Sequence, residues 1–541
     1  MSSMVNLGAL SILLTTALAA SPYGPVSAPC PATGLVRSAA DGVSTDEASY
    51  ISARKPVAQA ALLSWLTKTN AAYSNSSSSD LPTIGLTVSG GGYRSMLTGA
   101  GVIQGLDSRD SNTSTSGLYQ ALSYQAGLSG GSWLLSSLAG NDWPTVSSLR
   151  DGLWSAMLEK TLFLSDTSDG SIDIVGDLAA KEGAGFDVTL TDAWARLLSY
   201  QFLYGDNGGV NKTLSGLVDD SRFAAHQVPF PIITALGVKT WEGDCDPDAD
   251  ATQYEFTPYE FGSWDAGVAA FTPAKYLGSS LVNGVASNSS NSSCVTGFDN
   301  LGFVFGTSSS LFNSVCLPVN INQTELGEHL ADLVSDLHEL ATNDLFALYP
   351  NPFYDPAAAD DATTAQKELH LVDGGVSNQN NPIWPLLHRS ADLIDVLIVN
   401  DNSADTDDNW PNGTEIRNTW TQATAQLGAN SRMPDIPTPD VFVAEGLNKR
   451  PTFFGCNATS DVLTILWVPN NNFTFDSNVA TLKLQYSSNE TSGMIANGQE
   501  VATQGGDARW PACLACGIMV RKSGEALPDE CDVCLAEYCY N

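Results

Sequence analysis

Basic residues are scarce in this chain. Its 541 residues include only 24 Lys and Arg together and 5 His, against 59 Asp and Glu, for a formal net charge of −35. So few cations exclude nucleic acid as the partner, because its phosphates would go unneutralised. They equally exclude a polybasic hold on an anionic membrane. Long apolar runs are missing too. No stretch reaches the roughly 18 uninterrupted apolar residues of a membrane-spanning helix, so no transmembrane segment is expected. What is present, 43% hydrophobic and 9% aromatic residues, suits a large, well-cored globular protein.

The beginning of the chain reads as a secretory signal over residues 1–20. Leu7 to Ala20 is apolar, Ala17-Leu18-Ala19 is a small-x-small cleavage site, and the usual basic flank is absent. Ten Asn-x-Ser/Thr triplets, at Asn75, Asn112, Asn211, Asn288, Asn291, Asn322, Asn412, Asn457, Asn472 and Asn489, fit a glycosylated, secreted protein. The last residues, Cys534 to Asn541, are not the apolar tail that a glycolipid anchor needs, so free extracellular secretion is expected. The cysteines are Cys30, Cys245, Cys294, Cys316, Cys456, Cys513, Cys516, Cys531, Cys534 and Cys539. Cys513-x-x-Cys516 and Cys531-x-x-Cys534 have zinc-ribbon spacing. An oxidising compartment and the additional Cys539 favour disulfides, and residues 513–539 are read as a clamp on the main fold.

Three short apolar stretches run into glycine-rich turns. Ile84–Ser89 leads to Gly90-Gly91-Gly92-Tyr93-Arg94, Leu118–Gln125 leads to Gly127-Leu128-Ser129-Gly130-Gly131-Ser132, and Leu369–Val372 leads to Asp373-Gly374-Gly375. Leu393–Val399 is a further strand, and Pro229–Val238 another. Strands interleaved with helical patches predict an α/β fold. Its central, mostly parallel sheet would be flanked by helices, with the chemistry at the strand ends. The helical pattern of Asp46–Lys68 is interrupted by Pro56, which predicts two helices or a kink. Thr324–Leu345 carries leucines on one stripe and acids opposite. It reads as a helix packed on the core, or alternatively as a lid in the insertion between residues 129 and 373.

Gly127 to Gly131 reads as a Gly-x-Ser-x-Gly elbow that exposes Ser129 at a helix start. Acyl transfer needs a nucleophile, a base and donors for the developing oxyanion. Ser129 can supply the first, and Gly90 to Gly92 allow backbone N–H groups to come close to a substrate oxygen. For the base, His329 and His338 lie on the acidic amphipathic stretch, and His226 lies in a polar connection. His370 faces away from Asp373 by strand alternation. His388 alone stands in Ser…Asp…His order. None of the five has a glycine-rich setting of its own, whereas Asp373 does, which favours a serine–aspartate dyad.

These three motifs, in this order, resemble the catalytic domain of cytosolic phospholipase A2. They look closest to its secreted fungal branch, the lysophospholipases or phospholipases B. The likeness extends over residues 30–541, through Cys30-Pro31, Ser403-Ala404-Asp405-Thr406, Trp410-Pro411-Asn412-Gly413-Thr414 and the terminal cysteines. It implies Ser129 as nucleophile, Asp373 as general base, Gly91 and Gly92 as oxyanion donors, and Arg94 as the arginine near the phosphate or the developing charge. The implied activity is hydrolysis of the acyl ester of lysophospholipids, at micelle or membrane surfaces, without metal or cofactor. A generic or patatin-like carboxylesterase, or an inert secreted glycoprotein of the same fold, are the alternatives. The cytosolic relatives also carry a calcium-binding module upstream, for which no segment is expected here, so the resemblance does not imply calcium dependence. Arg389, with Asp392 close behind, is the nearest cation to a second phosphate-binding arginine.

Overall fold

The computed structural model describes residues 21–540 apart from 33, 78–80, 161, 163–173, 249, 287–292, 317–343, 459–460 and 523–526. The amphipathic stretch 324–345, with His329 and His338, lies almost wholly outside the described residues, as do the signal segment and Asn288, Asn291 and Asn322. Among the described residues no helix is long and apolar enough to cross a membrane.

Twelve strands form one sheet. In chain order they are β1 (Arg37–Ser38), β2 (Ile84–Val88), β3 (Leu122–Gly127), β4 (Phe230–Gly237), β5 (Gln253–Phe256), β6 (Glu260–Ser263), β7 (Ala270–Pro273), β8 (Ala347–Pro350), β9 (Glu368–Asp373), β10 (Val396–Asp401), β11 (Thr452–Phe454) and β12 (Thr464–Pro469). The spatial order is β11-β12-β10-β2-β3-β4-β5-β6-β7-β1, with β9 also paired to β4 and β8 to β9. The five strands β12, β10, β2, β3 and β4 run parallel. Apart from β3 (Leu-Ser-Tyr-Gln-Ala-Gly), they are the apolar runs with β-branched residues expected of strands covered on both faces. The outer strands are antiparallel, so the parallel arrangement expected from the sequence holds for the centre alone. The antiparallel part comes from short, tightly connected strands such as β5 to β7, which have no room for crossover helices.

Helix α1 (Thr45–Thr69) is one continuous element with Pro56 inside it, so of the two expectations, two helices or a kink, the first is corrected. Its inward stripe, Tyr50, Ile51, Arg54, Ala58, Leu62, Trp65 and Leu66, is buried. Pro56 and Ser52, whose carbonyl loses its helical donor, are both exposed. Water can satisfy that carbonyl while packing holds the rest of the helix. Arg54 reaches from this stripe to the carbonyls of Gln120 and Leu122 (2.6 and 2.8 Å from Nη2) and so anchors the start of β3.

The two helices that follow glycine turns are buried along their whole length: α2 (Gly92–Leu106) after β2 and α3 (Gly130–Ala139) after β3. Later helices used below are α4 (Leu190–Phe202), α5 (Leu301–Thr307), α6 (Thr414–Leu427), α7 (Trp510–Met519) and α8 (Glu530–Tyr538). Helices α7 and α8 form a hairpin joined by Cys513–Cys534 and Cys516–Cys531. Each helix presents its two cysteines one turn apart, so the zinc-ribbon spacing is here a disulfide ladder. Cys456–Cys539 ties the hairpin to the end of β11, and Cys30–Cys294 ties the start of the described chain to residues 293–296. Cys245 is disulfide-bonded as well.

Candidate active site

The site forms where two strand ends meet on one edge of β4. Strand β3 pairs with the first half of β4 and ends with Gly127 opposite Ile233. Strand β9 pairs with the second half and ends with Asp373 opposite Ala235. The other edge of β4 is taken by β5 over the same residues. Hence β3 and β9 approach each other end to end, separated by the single position Thr234. The turns that leave them carry Ser129 and Asp373 into the same gap.

Ser129 stands at φ 50°, ψ −125°, a region that L-residues avoid and that stores local strain. The tightness of the elbow depends on its glycines. A Cβ on Gly130 would stand 2.0 Å from the Gly92 carbonyl oxygen, and one on Gly131 2.1 Å from that of Val88. The elbow therefore lies directly against the first glycine turn. Gly130→Ala is expected to push the two turns apart and to reduce fluorophosphonate labelling of Ser129 by at least tenfold, measured as the second-order rate of inactivation.

The Ser129 hydroxyl donates to Asp373 Oδ2 at 2.8 Å. The other carboxylate oxygen accepts the Gly375 N–H at 2.7 Å. Asp373 is 3% exposed. Burial raises its pKa to about 6, against the lowering effect of those two donors. A carboxylate so placed is a better base than an ordinary one and is still ionised at neutral pH.

Gly91 (φ 130°) and Gly92 (φ 57°) turn the chain so that α2 starts beside the elbow. Neither amide donates to any group among the described residues. Both stand at the positive end of α2. Arg94 is buried beneath this turn. It donates to the carbonyls of Asn402 (2.8 Å) and Val479 (2.7 Å). Its Nη2 would be 2.7 Å from a Cβ on Gly91. Burial lowers its pKa to about 10, partly offset by Tyr486, Asp405 and Asp401, so it is a cation at neutral pH.

The other titratable candidates are elsewhere. His388 stacks on Trp264 and meets Trp384 edge-on, ring centroids 5.3 Å apart in each case. Burial and the adjacent Arg389 lower its pKa to about 4. It does not touch Asp373, whose two oxygens are bonded to Ser129 and Gly375. His370 points to the other face of β9, bonded to Thr240 and stacked on Phe346. Arg389 is locked between Glu47 and Glu255 by four hydrogen bonds of 2.8–3.1 Å. It is therefore a core ion pair and no phosphate ligand.

Two residues of the site escape a reading of the sequence. Ser308, just past α5, accepts the Ser129 N–H on both its carbonyl (3.0 Å) and its hydroxyl (3.1 Å). Its hydroxyl donates to the carbonyl of Thr234 (2.7 Å), the residue that separates the two strand ends. Its carbonyl also accepts the Gly374 N–H at 3.3 Å, and Ser310 accepts that of Asp373 at 3.0 Å. Asn380, beyond the aspartate turn, bonds Gly90 from both ends. Neither residue lies in a motif. Only the run of small hydroxyl residues Thr307 to Ser310 could have drawn notice.

A strained serine bonded to a buried carboxylate, beside free glycine amides at a helix start, is the arrangement of an α/β serine ester hydrolase. Comparison with known proteins agrees. Residues 84–541 match the lysophospholipase catalytic domain model. The chain is 38% identical to lysophospholipase 1 of Saccharomyces cerevisiae over 100% of this chain and 87% of that protein. It is 37% identical to lysophospholipase 2 of Aspergillus fumigatus over 96% and 93%. The chain belongs to the lysophospholipase catalytic-domain family. Its fold is also that of human GIVD cytosolic phospholipase A2, with a TM-score of 0.68 and 16% identity over 92% of this chain and 69% of that one.

Proposed function

We propose that this chain hydrolyses the acyl ester of lysophospholipids in two steps through a Ser129–Asp373 dyad. The observation that carries this reading is the 2.8 Å hydrogen bond from the Ser129 hydroxyl to a carboxylate that burial has made more basic. Asp373 takes the proton as Ser129 Oγ attacks the acyl carbonyl. The N–H groups of Gly91 and Gly92 receive the oxyanion, where one such donor is worth roughly 3 kcal/mol, and the buried charge of Arg94 adds to the field. The glycerophospho moiety leaves with the proton from Asp373, which gives an acyl-enzyme. Water, deprotonated by Asp373, then attacks the acyl carbon, and Ser129 Oγ takes that proton back from Asp373 as the fatty acid departs.

Extracellular secretion with N-linked glycans belongs to the same reading. Asn75, Asn112, Asn211, Asn457, Asn472 and Asn489 are exposed, and Asn412 is half-buried, so six sequons are open to modification as they stand. The disulfide ladder of α7 and α8 also favours an oxidising compartment.

The wild-type protein tests the chemistry. A fluorophosphonate probe should add one covalent label, on the peptide that contains Ser129. Lysophosphatidylcholine should be turned over faster than a short water-soluble ester. An unlabelled Ser129 would end the dyad reading, and a preference for the short ester would point to a generic carboxylesterase.

A further inference from the structure

The oxyanion turn has a weakness of its own. The peptide between Gly90 and Gly91 is flanked by two glycines, and Gly91 sits at φ 130°. Glycine backbone adopts either sign of φ at little cost, so neither flanking residue has a side chain of its own to oppose a rotation of this peptide by about half a turn. A peptide bond is planar and trans, with its C=O and N–H pointing in opposite directions. In the proposed mechanism the Gly91 N–H receives the oxyanion, so a flip would turn that N–H away and present the Gly90 carbonyl to the oxyanion instead. Some group must hold that carbonyl if the donor is to stay in place.

Asn380 is placed to do so. Its side-chain amide donates to the Gly90 carbonyl at 3.2 Å and to Ser403 Oγ at 2.9 Å. Its own carbonyl accepts the Gly90 N–H at 3.0 Å. Gly90 is thus gripped at both ends by one residue. Asn380 is itself fixed from behind, because its N–H donates to Glu415 Oε2 at 2.8 Å, on α6. It is also wedged: a Cβ on Gly90 would be 2.2 Å from Asn380 Oδ1, and one on Gly375 2.6 Å from the same atom. The first glycine belongs to the oxyanion turn, and the second supplies the N–H that holds Asp373. Ser89 Oγ adds a second donor to the Gly90 carbonyl at 3.1 Å.

We propose that Asn380 is a positioning residue that locks the Gly90–Gly91 peptide, keeping the Gly91 N–H turned toward the Ser129 adduct and tying the oxyanion turn to the aspartate turn. This rests on the dyad reading above. An amide is needed because only a donor can hold a carbonyl oxygen, while the close approach to Gly90 and Gly375 demands a short side chain. Aspartate has the same shape but would set an acceptor against the carbonyl and favour the flip.

The test compares wild type with Asn380→Asp and Asn380→Ala, as the full chain. On lysophosphatidylcholine, Asn380→Asp should lower kcat by about 100-fold, the effect of losing one oxyanion donor, with KM within about threefold. A trifluoromethyl ketone that adds to Ser129 as a charged adduct should lose affinity by a similar factor. A non-hydrolysable ether analogue of lysophosphatidylcholine, which has no oxyanion, should bind as to wild type. Asn380→Ala should lie between the two and serves if the Asp variant does not fold. Unchanged kcat and ketone affinity would overturn the lock, and so would equal weakening of both ligands, since that marks general damage. A wild type that fails to bind the ketone at Ser129 would instead overturn the dyad reading beneath it.

Discussion

Ser129→Ala is expected to remove turnover of lysophosphatidylcholine, by about a million-fold, the scale seen when a serine hydrolase loses its nucleophile. Residual hydrolysis would come from the oxyanion donors and binding alone. The protein should remain folded, since the Ser129 side chain makes a single contact that the fold could miss, its bond to Asp373. The backbone gives a sharper version of the experiment. At φ 50°, ψ −125° alanine is as strained as serine, whereas glycine is not. Relief of such strain is worth about 1–3 kcal/mol. Against it stands the greater freedom that glycine gives the unfolded chain, about 0.5–1 kcal/mol. Relief is the larger effect, so Ser129→Gly should be as inactive as Ser129→Ala and yet unfold at higher urea concentration. Both variants lose the bond to Asp373, so the difference between them reports the elbow alone. An alanine variant that retained activity would remove Ser129 from the chemistry, and equal midpoints would remove the strain.

Much of this site was legible in the sequence, for physical reasons that differ by residue. The elbow shows itself because its glycines are forced by contacts within van der Waals distance. Such positions admit nothing larger, and at Gly130 and Gly131 the obstacles are the backbone carbonyls of Gly92 and Val88. Asp373 shows itself through the two glycines of its own turn. The relation between the two strands does not. Gly-rich strand ends suggest parallel neighbours, but β9 is antiparallel to β4 and reaches Ser129 from the opposite direction. Pairing direction depends on partners far away in the chain, which hydrophobic pattern does not encode. Ser308 is missed for the same reason. It is 179 residues from Ser129, and a serine that bonds backbone looks like any loop serine. Arg389 shows the converse. It was the cation nearest to a family expectation, and only the three-dimensional placement of Glu47 and Glu255 reveals it as a buried ion pair.

Asp373→Asn should lose activity and gain stability together. Removing the base is expected to lower kcat by about 10⁴-fold, the upper end for general-base catalysis. His388→Ala should leave the dyad intact, because that imidazole packs against Trp264 and Trp384. Near-normal turnover in Asp373→Asn with loss in His388→Ala would take the base role from Asp373 and give it to His388. The stability effect follows from the direction in which burial moves the carboxyl. Burial raises the pKa of Asp373 from 3.8 to about 6 in the folded protein, so its ionisation opposes folding. The folded state keeps its full stability below the unfolded pKa near 4. It loses stability as pH rises toward 6, and the deficit is constant above that. A rise of this size corresponds to roughly 3 kcal/mol. Asparagine carries no charge, and it can still accept the Gly375 N–H and donate to Ser129 Oγ. The Tm advantage of Asp373→Asn over wild type should therefore be absent near pH 4, open between pH 4 and 6, and stay level to pH 8. Wild-type kcat/KM should fall on the acid side with a limb near pH 6, because the base must be unprotonated to act. An activity limb near pH 6 without the Tm difference would assign that limb to another group. A Tm difference independent of pH would show that the charge of Asp373 is not what the fold resists. If both appear in the same window, one carboxylate carries the catalytic base and the cost of burying it.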